Sequence, residues 1–122
     1  SGIPNYTDAN GFDWFVPQSE ESNNLELILD KPADFKPDTR YSYSNTNYLL
    51  IGQILDRVLG YSHHQYIRNE IFAPLGLTHT FFSLDEVPYE DVVSGYWYGY
   101  DDDLRYLGAS MIATAEDVGI FL

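Results

Sequence analysis

The chain has 122 residues, 44% of them apolar, which is enough for one domain with a modest hydrophobic core and too many for a disordered segment. Its formal net charge of −13 disfavours binding to nucleic acid or to anionic lipid, and no apolar run is long enough to cross a bilayer. The absence of cysteine excludes disulfides, thiolate catalysis and cysteine-ligated zinc.

The N-terminal third is predicted to be mostly irregular. Residues 1–20 contain Gly, Pro, Asn and Asp without any hydrophobic period, which indicates a loop. A short helix is predicted from near Ser22, ending before Pro32, and a second loop turns at Pro37. No internal repeat or long linker divides the chain, so we expect a single segment, residues 1–122.

The strongest helical pattern runs from about Asn47 to Leu59, and Gly60 is suited to cap its C-terminus. Its apolar residues recur at helical spacing, on one face: Leu50, Ile51, Ile54, Leu55 and Val58. A second helix is predicted from about His63 to Phe72, with Ser62 as its N-cap and Pro74 as its end. The side chains expected to be buried on this helix are Tyr66, Ile67, Ile71 and Phe72.

The C-terminal third gives weaker signals. Residues 94–108, "SGYWYGYDDDLRYLG", alternate aromatic with small or polar residues and are compatible with a short hairpin. We interpret its aromatic residues as core rather than as the wall of a cleft: Tyr96, Trp97 and Tyr98. Thr114 followed by Asp117 predicts the capped start of a last helix.

A polar cluster, "YSYSNTN", occupies residues 41–47 immediately before the strongest helix. Serine and asparagine at this place ordinarily cap a helix, but a cap needs only one side-chain oxygen. The surplus of hydroxyl and amide groups indicates a functional site. Asn47 and Tyr41 are interpreted as cap and packing residues, and Ser44 is assigned no chemistry.

Two stretches, "YSYSNTNYLLIGQIL" and "YIRNEIFAPLGLTHT", resemble the serine β-lactamase-like hydrolases, which include class C β-lactamases, D-alanyl-D-alanine carboxypeptidases and related esterases. The Tyr-x-Asn motif of that family is similar to Tyr43-Ser44-Asn45. "SGIPNYT" and "FKPDTRYSYSN" also resemble family segments, the latter with Asp38 where glycine is usual. "GASMIATAEDVGIFL" is similar to a helix entry of the family, with Ala109 and Ala113 in place of Gly and Ser.

The resemblance implies a mainly α structure. It corresponds to the helical (lid) domain of the β-lactamase/transpeptidase-like fold, with long irregular loops and without most of the α/β sheet domain. It also implies a serine acyl-enzyme reaction on a β-lactam, a D-Ala-D-Ala peptide or an ester, with no metal or organic cofactor. Its expected partners are that small-molecule or peptidoglycan-peptide substrate and the rest of its own chain, and the location it favours is the periplasm, the cell envelope or secretion.

The same resemblance assigns the catalytic roles to two residues. Tyr43 is the expected proton-transfer partner of the serine, and Asn45 is expected to bind the substrate's acyl-side carbonyl and to steady a lysine. A tyrosine ordinarily titrates near pH 10, so two routes stay open: a phenolate stabilised by a nearby ammonium, and a relay through the neutral phenol.

Two further motifs of the family are missing from the printed sequence. Neither Lys31 nor Lys36 completes a Ser-x-x-Lys, and no Lys/His-x-Gly occurs. We therefore expect both motifs outside residues 1–122, so that this internal fragment is inactive alone and self-association is possible. The alternatives are a non-catalytic binding or scaffold member of the same fold and a standalone helical interaction domain.

Metal binding is not expected. His63 and His64 are adjacent, so on a helix their side chains point about 100° apart, whereas ligation from one helix needs a spacing of three or four residues. The acidic run at 101–103 lacks the spaced oxygens and the glycine of a calcium loop.

Overall fold

The computed structural model describes residues 1–13, 24–102 and 111–122. The described residues group into two compact units, one ending at Tyr61 and the other starting at Ser62. Helices dominate the described residues, and their β structure consists of two short two-stranded sheets. The predicted mainly α structure with long loops and a short hairpin is confirmed, whereas the single-segment organisation stays a prediction.

The first unit is organised around helix α1, Asn45–Leu59, which begins two residues earlier than predicted. Gly60 ends it as predicted: the glycine has a left-handed backbone (φ 78°), and its N–H donates to the carbonyl of Asp56 at 2.9 Å. Two 3-10 turns precede the helix, Tyr6–Asp8 and Asn24–Leu27. The second of these turns lies where the helix near Ser22 was expected, whose start falls outside the described residues.

The N-terminal loop is fixed at Gly2. The carbonyl of Gly2 accepts the N–H of Asp34 at 2.9 Å, and the backbone of Gly2 has a φ of 84°. A Cβ atom at this position would lie 2.1 Å from the carbonyl oxygen of Phe35, so only glycine allows this close approach.

The second unit begins with α2, His63–Ile67, which continues as a π-helical turn, Arg68–Phe72, and then as α3, Ala73–Leu75. The prediction that Pro74 ends this helix is wrong, since the helical backbone continues through it to the left-handed Gly76. Proline has no N–H to donate and crowds the carbonyl four residues back. The π-helical turn that ends at Phe72 has a wider hydrogen-bond pattern than an α-helix. We interpret this local change of pattern as the reason why the helix continues through Pro74, which would break an ordinary α-helix.

Four short strands complete the second unit. β1, Thr80–Phe81, pairs antiparallel with β4, Ile112–Ala113. β2, Gly95–Trp97, and β3, Tyr100–Asp102, form the predicted hairpin, whose remaining residues 103–108 fall outside the described part of the chain.

The turn of the hairpin places both of its central residues in the left-handed region. Tyr98 has a φ of 50° and Gly99 a φ of 85°, which is typical of a type I′ hairpin turn. The prediction that the aromatic residues are core is wrong for Tyr96 and Tyr98, which are 72% and 87% exposed. The side chain of Trp97 is outside the described part of the structure.

The last helix, α4, Ala115–Phe121, starts as predicted, with the hydroxyl of Thr114 accepting the N–H of Asp117 at 3.2 Å. The buried carboxylate of Asp117 accepts from the N–H of His79 and from the hydroxyl of Thr80, both at 2.8 Å. Asp117 therefore links the start of α4 to the segment that carries β1.

Packing around these elements is limited among the described residues. The buried apolar side chains are Ala9, Ile28, Phe72 and Leu77. Phe72 is buried as predicted and stacks on Phe82, with ring centroids 5.2 Å apart, whereas Tyr66 is exposed. Within the described ranges, no helix has the length and apolar character that a membrane span requires.

Candidate active site

The two predicted site residues, Tyr43 and Asn45, lie on either side of Ser44 at the N-terminus of α1. Ser44 is the N-cap residue, with an extended backbone (φ −147°, ψ 119°), so the chain changes direction between the two side chains. Ser44 itself is buried and its hydroxyl makes no capping bond; it donates to the carbonyl of Pro4 at 3.4 Å. The hydroxyl of Ser44 thus contacts the N-terminal loop, and the absence of a chemical role for Ser44 stays a prediction.

The cap of α1 comes from a residue that the sequence did not indicate. The side-chain oxygen of Asn5 accepts the backbone N–H of Asn45 at 3.0 Å, across 40 residues of sequence. That N–H belongs to the first turn of the helix and has no partner within it. Asparagine is a common capping residue, but a cap supplied from a distant loop leaves no local spacing by which to find it.

A second pair of bonds ties the same loop to α1. Thr46 is fully buried, and its hydroxyl donates to the carbonyl of Pro4 at 2.7 Å while accepting the N–H of Tyr6 at 3.0 Å. Both hydrogen-bonding capacities of this hydroxyl are therefore used. The loop and the helix start form one rigid junction next to Tyr43 and Asn45.

Tyr43 is open to solvent, with 56% of its surface exposed. Its ring lies beside that of Tyr48, one turn along α1, with ring centroids 5.6 Å apart and planes inclined by 36°. No residue in the described ranges hydrogen-bonds its hydroxyl. The phenol is therefore accessible to a reacting group.

Tyr6 is a second titratable neighbour of Tyr43. Burial raises the pKa of Tyr6, and negative charge on the Tyr43 phenol raises it further. Tyr6 also packs edge-on against Phe12, with ring centroids 5.3 Å apart. Burial and the neighbouring Tyr43 thus both favour the neutral form of Tyr6.

Asn45 is half-buried, and its side-chain amide nitrogen faces the N-terminal loop. It donates to the side-chain oxygen of Asn5 at 3.3 Å and to the hydroxyl of Thr7 at 3.4 Å. The amide plane of Asn45 is therefore held from one side, and its carbonyl oxygen accepts no hydrogen bond from the described residues.

The other polar residues of the cluster differ from their predicted roles. Tyr41 is 86% exposed and does not pack. Asn47 is not a cap because the helix begins two residues before it; its side-chain oxygen accepts the hydroxyl of Ser1 at 2.8 Å. Across the described ranges, no three or more potential metal ligands cluster together.

The family comparison covers the chain from end to end. The model of the family described as Beta-lactamase matches residues 1–122. This match includes the junction between the N-terminal loop and α1.

Curated relatives match a shorter stretch. A provisionally named D-alanyl-D-alanine carboxypeptidase of Escherichia coli (strain K12) is 36% identical over 64 residues, which is 52% of this chain and 15% of the relative. A protein with the same provisional name from Salmonella paratyphi B is 31% identical over 80 residues, which is 66% of this chain and 18% of the relative. The chain thus spans less than a fifth of the length of these relatives.

Solved structures extend the likeness to the fold. The crystal structure of a D-amino acid amidase from Ochrobactrum anthropi SV3, complexed with L-phenylalanine, superposes with a TM-score of 0.79 at 25% identity, covering 99% of this chain and 38% of the amidase. The amidase structure described without a ligand gives a TM-score of 0.67 at 26% identity, with the same coverage. The predicted fold, a helical part of the β-lactamase-like architecture, is confirmed, and the chain belongs to the Beta-lactamase family.

Proposed function

We propose that the chain is the helical part of a serine acyl hydrolase in which Tyr43 transfers protons and Asn45 orients the reacting groups. The observation that carries the proposal is the placement of these two side chains around the buried Ser44, in a chain that matches the Beta-lactamase family over its whole length. The nucleophilic serine and the lysine of this reaction lie outside residues 1–122 in the proposal.

The reaction proceeds through an acyl-enzyme. The serine oxygen attacks the substrate's carbonyl carbon while its proton is taken up by the base, and the tetrahedral intermediate expels the leaving amine or alcohol, which receives a proton. Water then attacks the ester carbon by the same sequence and releases the carboxylic acid and the free serine. Each half of the reaction needs one group that both accepts and donates a proton.

Tyr43 is suited to that role by its position. Its phenol is exposed at the helix start, beside the ring of Tyr48, and burial raises the pKa of the neighbouring Tyr6.

Asn45 provides two complementary groups. Its carbonyl oxygen is available to accept from a lysine ammonium, and the amide hydrogen that faces Thr7 makes a long bond that a substrate carbonyl can replace. The binding of Asn45 to the loop keeps this amide in place before substrate arrives, which lowers the entropy cost of reaching the reactive geometry.

The partner of this part of the chain is the rest of the same protein. Helix α1 presents an apolar stripe that is largely exposed: Ile51, Ile54, Leu55 and Val58. We propose that the α/β domain of the complete enzyme covers this stripe. The 122-residue polypeptide alone carries neither the serine nor the lysine and is inactive.

The proposed substrate is an amide bond next to a D-amino acid. The curated relatives carry a name for D-alanyl-D-alanine carboxypeptidases and the similar solved structures are of a D-amino acid amidase, so both names refer to this bond. β-Lactams and small esters remain substrates of the same reaction class, and the assay must separate them.

Labelling of the active-site serine tests the proposal. The full-length protein, its Tyr43→Phe and Asn45→Ala variants and the 122-residue polypeptide are each treated with a fluorescent penicillin and a fluorophosphonate, and hydrolysis of a D-Ala-D-Ala peptide and of D- and L-phenylalaninamide is followed. We expect label on the full-length protein, label on Tyr43→Phe slowed by about 10²–10⁴-fold, and none on the 122-residue polypeptide.

The pattern of labelling also identifies the substrate class. Reaction with penicillin together with cleavage of the peptide indicates a carboxypeptidase, whereas cleavage of D-phenylalaninamide alone indicates an amidase. A folded full-length protein that reacts with neither probe contradicts the proposal and favours the alternative, a non-catalytic binding or scaffold protein.

A further inference from the structure

We infer that Asn5 is a positioning residue for Asn45, which fixes the side-chain amide of Asn45 with its carbonyl oxygen toward the reacting groups. The inference rests on the proposed function. The side-chain oxygen of Asn5 accepts two hydrogen bonds from Asn45, one from the backbone N–H at 3.0 Å and one from the side-chain nitrogen at 3.3 Å. Asn5 therefore contacts both the helix start and the amide of the candidate catalytic residue.

The orientation of the Asn5 amide follows from its neighbours. A backbone N–H is always a donor, so the Asn5 atom that faces the N–H of Asn45 must be the oxygen. The other end of the Asn5 amide lies 2.7 Å from the hydroxyl of Thr7 and 3.1 Å from a carboxylate oxygen of Asp8. A carboxylate is an acceptor, which requires the nitrogen of Asn5 at that end.

The orientation of the Asn45 amide follows in turn. The Asn5 oxygen can only accept, so the Asn45 atom beside it must be the nitrogen. The carbonyl oxygen of Asn45 is consequently turned away from Asn5. Exchange of the two ends of the Asn45 amide would place two acceptors against each other, so this chain of hydrogen bonds leaves a single arrangement.

This orientation determines which atom of the Asn45 side chain is available to the reacting groups. An oxygen that is turned away from Asn5 is available to accept from an ammonium or from a substrate N–H. Without Asn5 the amide of Asn45 can rotate, and either end can face the site. Asn5 thus acts on the reaction through Asn45 and does not itself contact substrate.

Thr46 provides the matched control, because it holds the same loop against the same helix start without contacting the Asn45 amide. If the role of Asn5 is purely structural, its loss slows acylation by the same factor with and without the Asn45 side chain, as we expect for the loss of the Thr46 hydroxyl. A positioning role predicts that the effect of Asn5 depends on the presence of Asn45.

The experiment is a double-mutant cycle in the full-length protein. The acylation rate with the probe that labels the wild type is measured for Asn5→Ala, Asn45→Ala and their combination, and for Thr46→Val alone and with Asn45→Ala. We expect Asn5→Ala to slow acylation by up to about 10²-fold in the wild-type background. In the Asn45→Ala background, where the backbone N–H of residue 45 still loses its cap, we expect the loss to be about ten-fold smaller, because the contact between the two side chains is already absent.

Asn5→Asp combined with Asp8→Asn keeps the test decisive if Asn5→Ala does not fold, which its thermal transition will show. The carboxylate at position 5 retains the oxygen that accepts from Asn45, and the amide at position 8 supplies the donor between these two side chains without placing two carboxylates together. We expect its acylation rate to stay close to that of the wild type, whereas a loss as large as that of Asn45→Ala contradicts the inference.

Two outcomes separate the inference from the proposed function. Equal losses from Asn5→Ala in both backgrounds, as expected for Thr46→Val, overturn the inference and leave the roles of Tyr43 and Asn45 intact. A wild-type acylation rate in Asn45→Ala overturns the proposed role of Asn45 and the inference with it.

Discussion

The hydroxyl of Thr46 and the carbonyl of Pro4 are joined by a 2.7 Å hydrogen bond that links the first turn of α1 to a loop 42 residues earlier in the sequence. The same hydroxyl accepts the N–H of Tyr6, and the residue is fully buried. The N–H of Tyr6 depends on this side chain, and the carbonyl of Pro4 accepts in addition only a longer bond from the hydroxyl of Ser44, so the junction next to the candidate active site is sensitive to the loss of Thr46.

Replacement of Thr46 by valine, which has the same shape without the hydroxyl, is expected to destabilise this junction. The N–H of Tyr6 loses its partner and the carbonyl of Pro4 keeps only the 3.4 Å bond from the hydroxyl of Ser44, at a cost of about 1–3 kcal/mol. Urea unfolding of the full-length protein measures the loss. Thr39→Val is the control, because the hydroxyl of Thr39 donates to the carbonyl of Lys36 at an exposed position. Equal stability of the two variants would show that the junction contributes nothing.

Replacement of Gly60 and of Gly119 by alanine is expected to change the free energy of unfolding in opposite directions. Gly60 caps α1 with a φ of 78°, so alanine there is strained and costs about 1 kcal/mol although no atom obstructs a Cβ. Gly119 lies within α4 and also has open space around it, so alanine there gains about 0.5–1 kcal/mol. Thermal unfolding of the two variants of the full-length protein compares them. A stabilising Gly60→Ala would contradict the left-handed cap.

The sequence predicted those parts of the fold that depend on local patterns. Gly60 and Thr114 were identified as caps because each acts within one turn of its own helix. The end of the second helix was misplaced because the effect of Pro74 depends on the turn before it, where a π-helical turn replaces ordinary α-helical bonding. Such compensation has no signature in the identities of single residues.

The candidate site was predicted only in part, for the same reason. Tyr43 and Asn45 stand in a recognisable string next to a clear helix. Asn5 acts on the same helix start from 40 residues away, and no spacing rule connects the two positions. Side chains that support a site through tertiary contacts become visible only when the fold brings them together.

An ion pair connects the π-helical turn of the second unit to a 3-10 turn, Leu84–Glu86. Arg68 donates to the carboxylate of Glu86, which also accepts the N–H of Phe82 at 3.1 Å, and the guanidinium lies 5.0 Å from the centre of the Phe82 ring. Partial burial pushes the pKa of Glu86 up, but the hydrogen bonds from Arg68 and Phe82 and the charge of Arg68 outweigh it, so the pKa is lowered overall.

The lowered pKa of Glu86 predicts a stability contribution that disappears in acid. Because the folded state favours the carboxylate, the contribution is complete above the unfolded value of about 4.3 and is lost as the pH falls through the lower folded pKa. Both partners are partly exposed, so we expect Glu86→Gln to cost about 0–1 kcal/mol at pH 7, after screening by solvent.

Unfolding of the full-length protein at several pH values measures this difference, with Glu90→Gln as the control at an exposed carboxylate. We expect the wild type and Glu86→Gln to become equally stable below the folded pKa of Glu86. A stability difference between the wild type and Glu86→Gln that grows as the pH falls would contradict the prediction.

The exposed stripe of α1 predicts the solution behaviour of the 122-residue polypeptide. Ile54 and Val58 are 59% and 78% exposed on this face, which favours self-association. We expect sedimentation velocity to show a mass that rises with concentration, and the double variant Ile54→Glu with Val58→Glu to shift the population toward monomer. Gln53→Glu, an exposed substitution on the same helix that adds one negative charge without removing an apolar side chain, is expected to leave the distribution unchanged. A wild-type polypeptide that stays monomeric and unfolds cooperatively at high temperature would contradict the prediction.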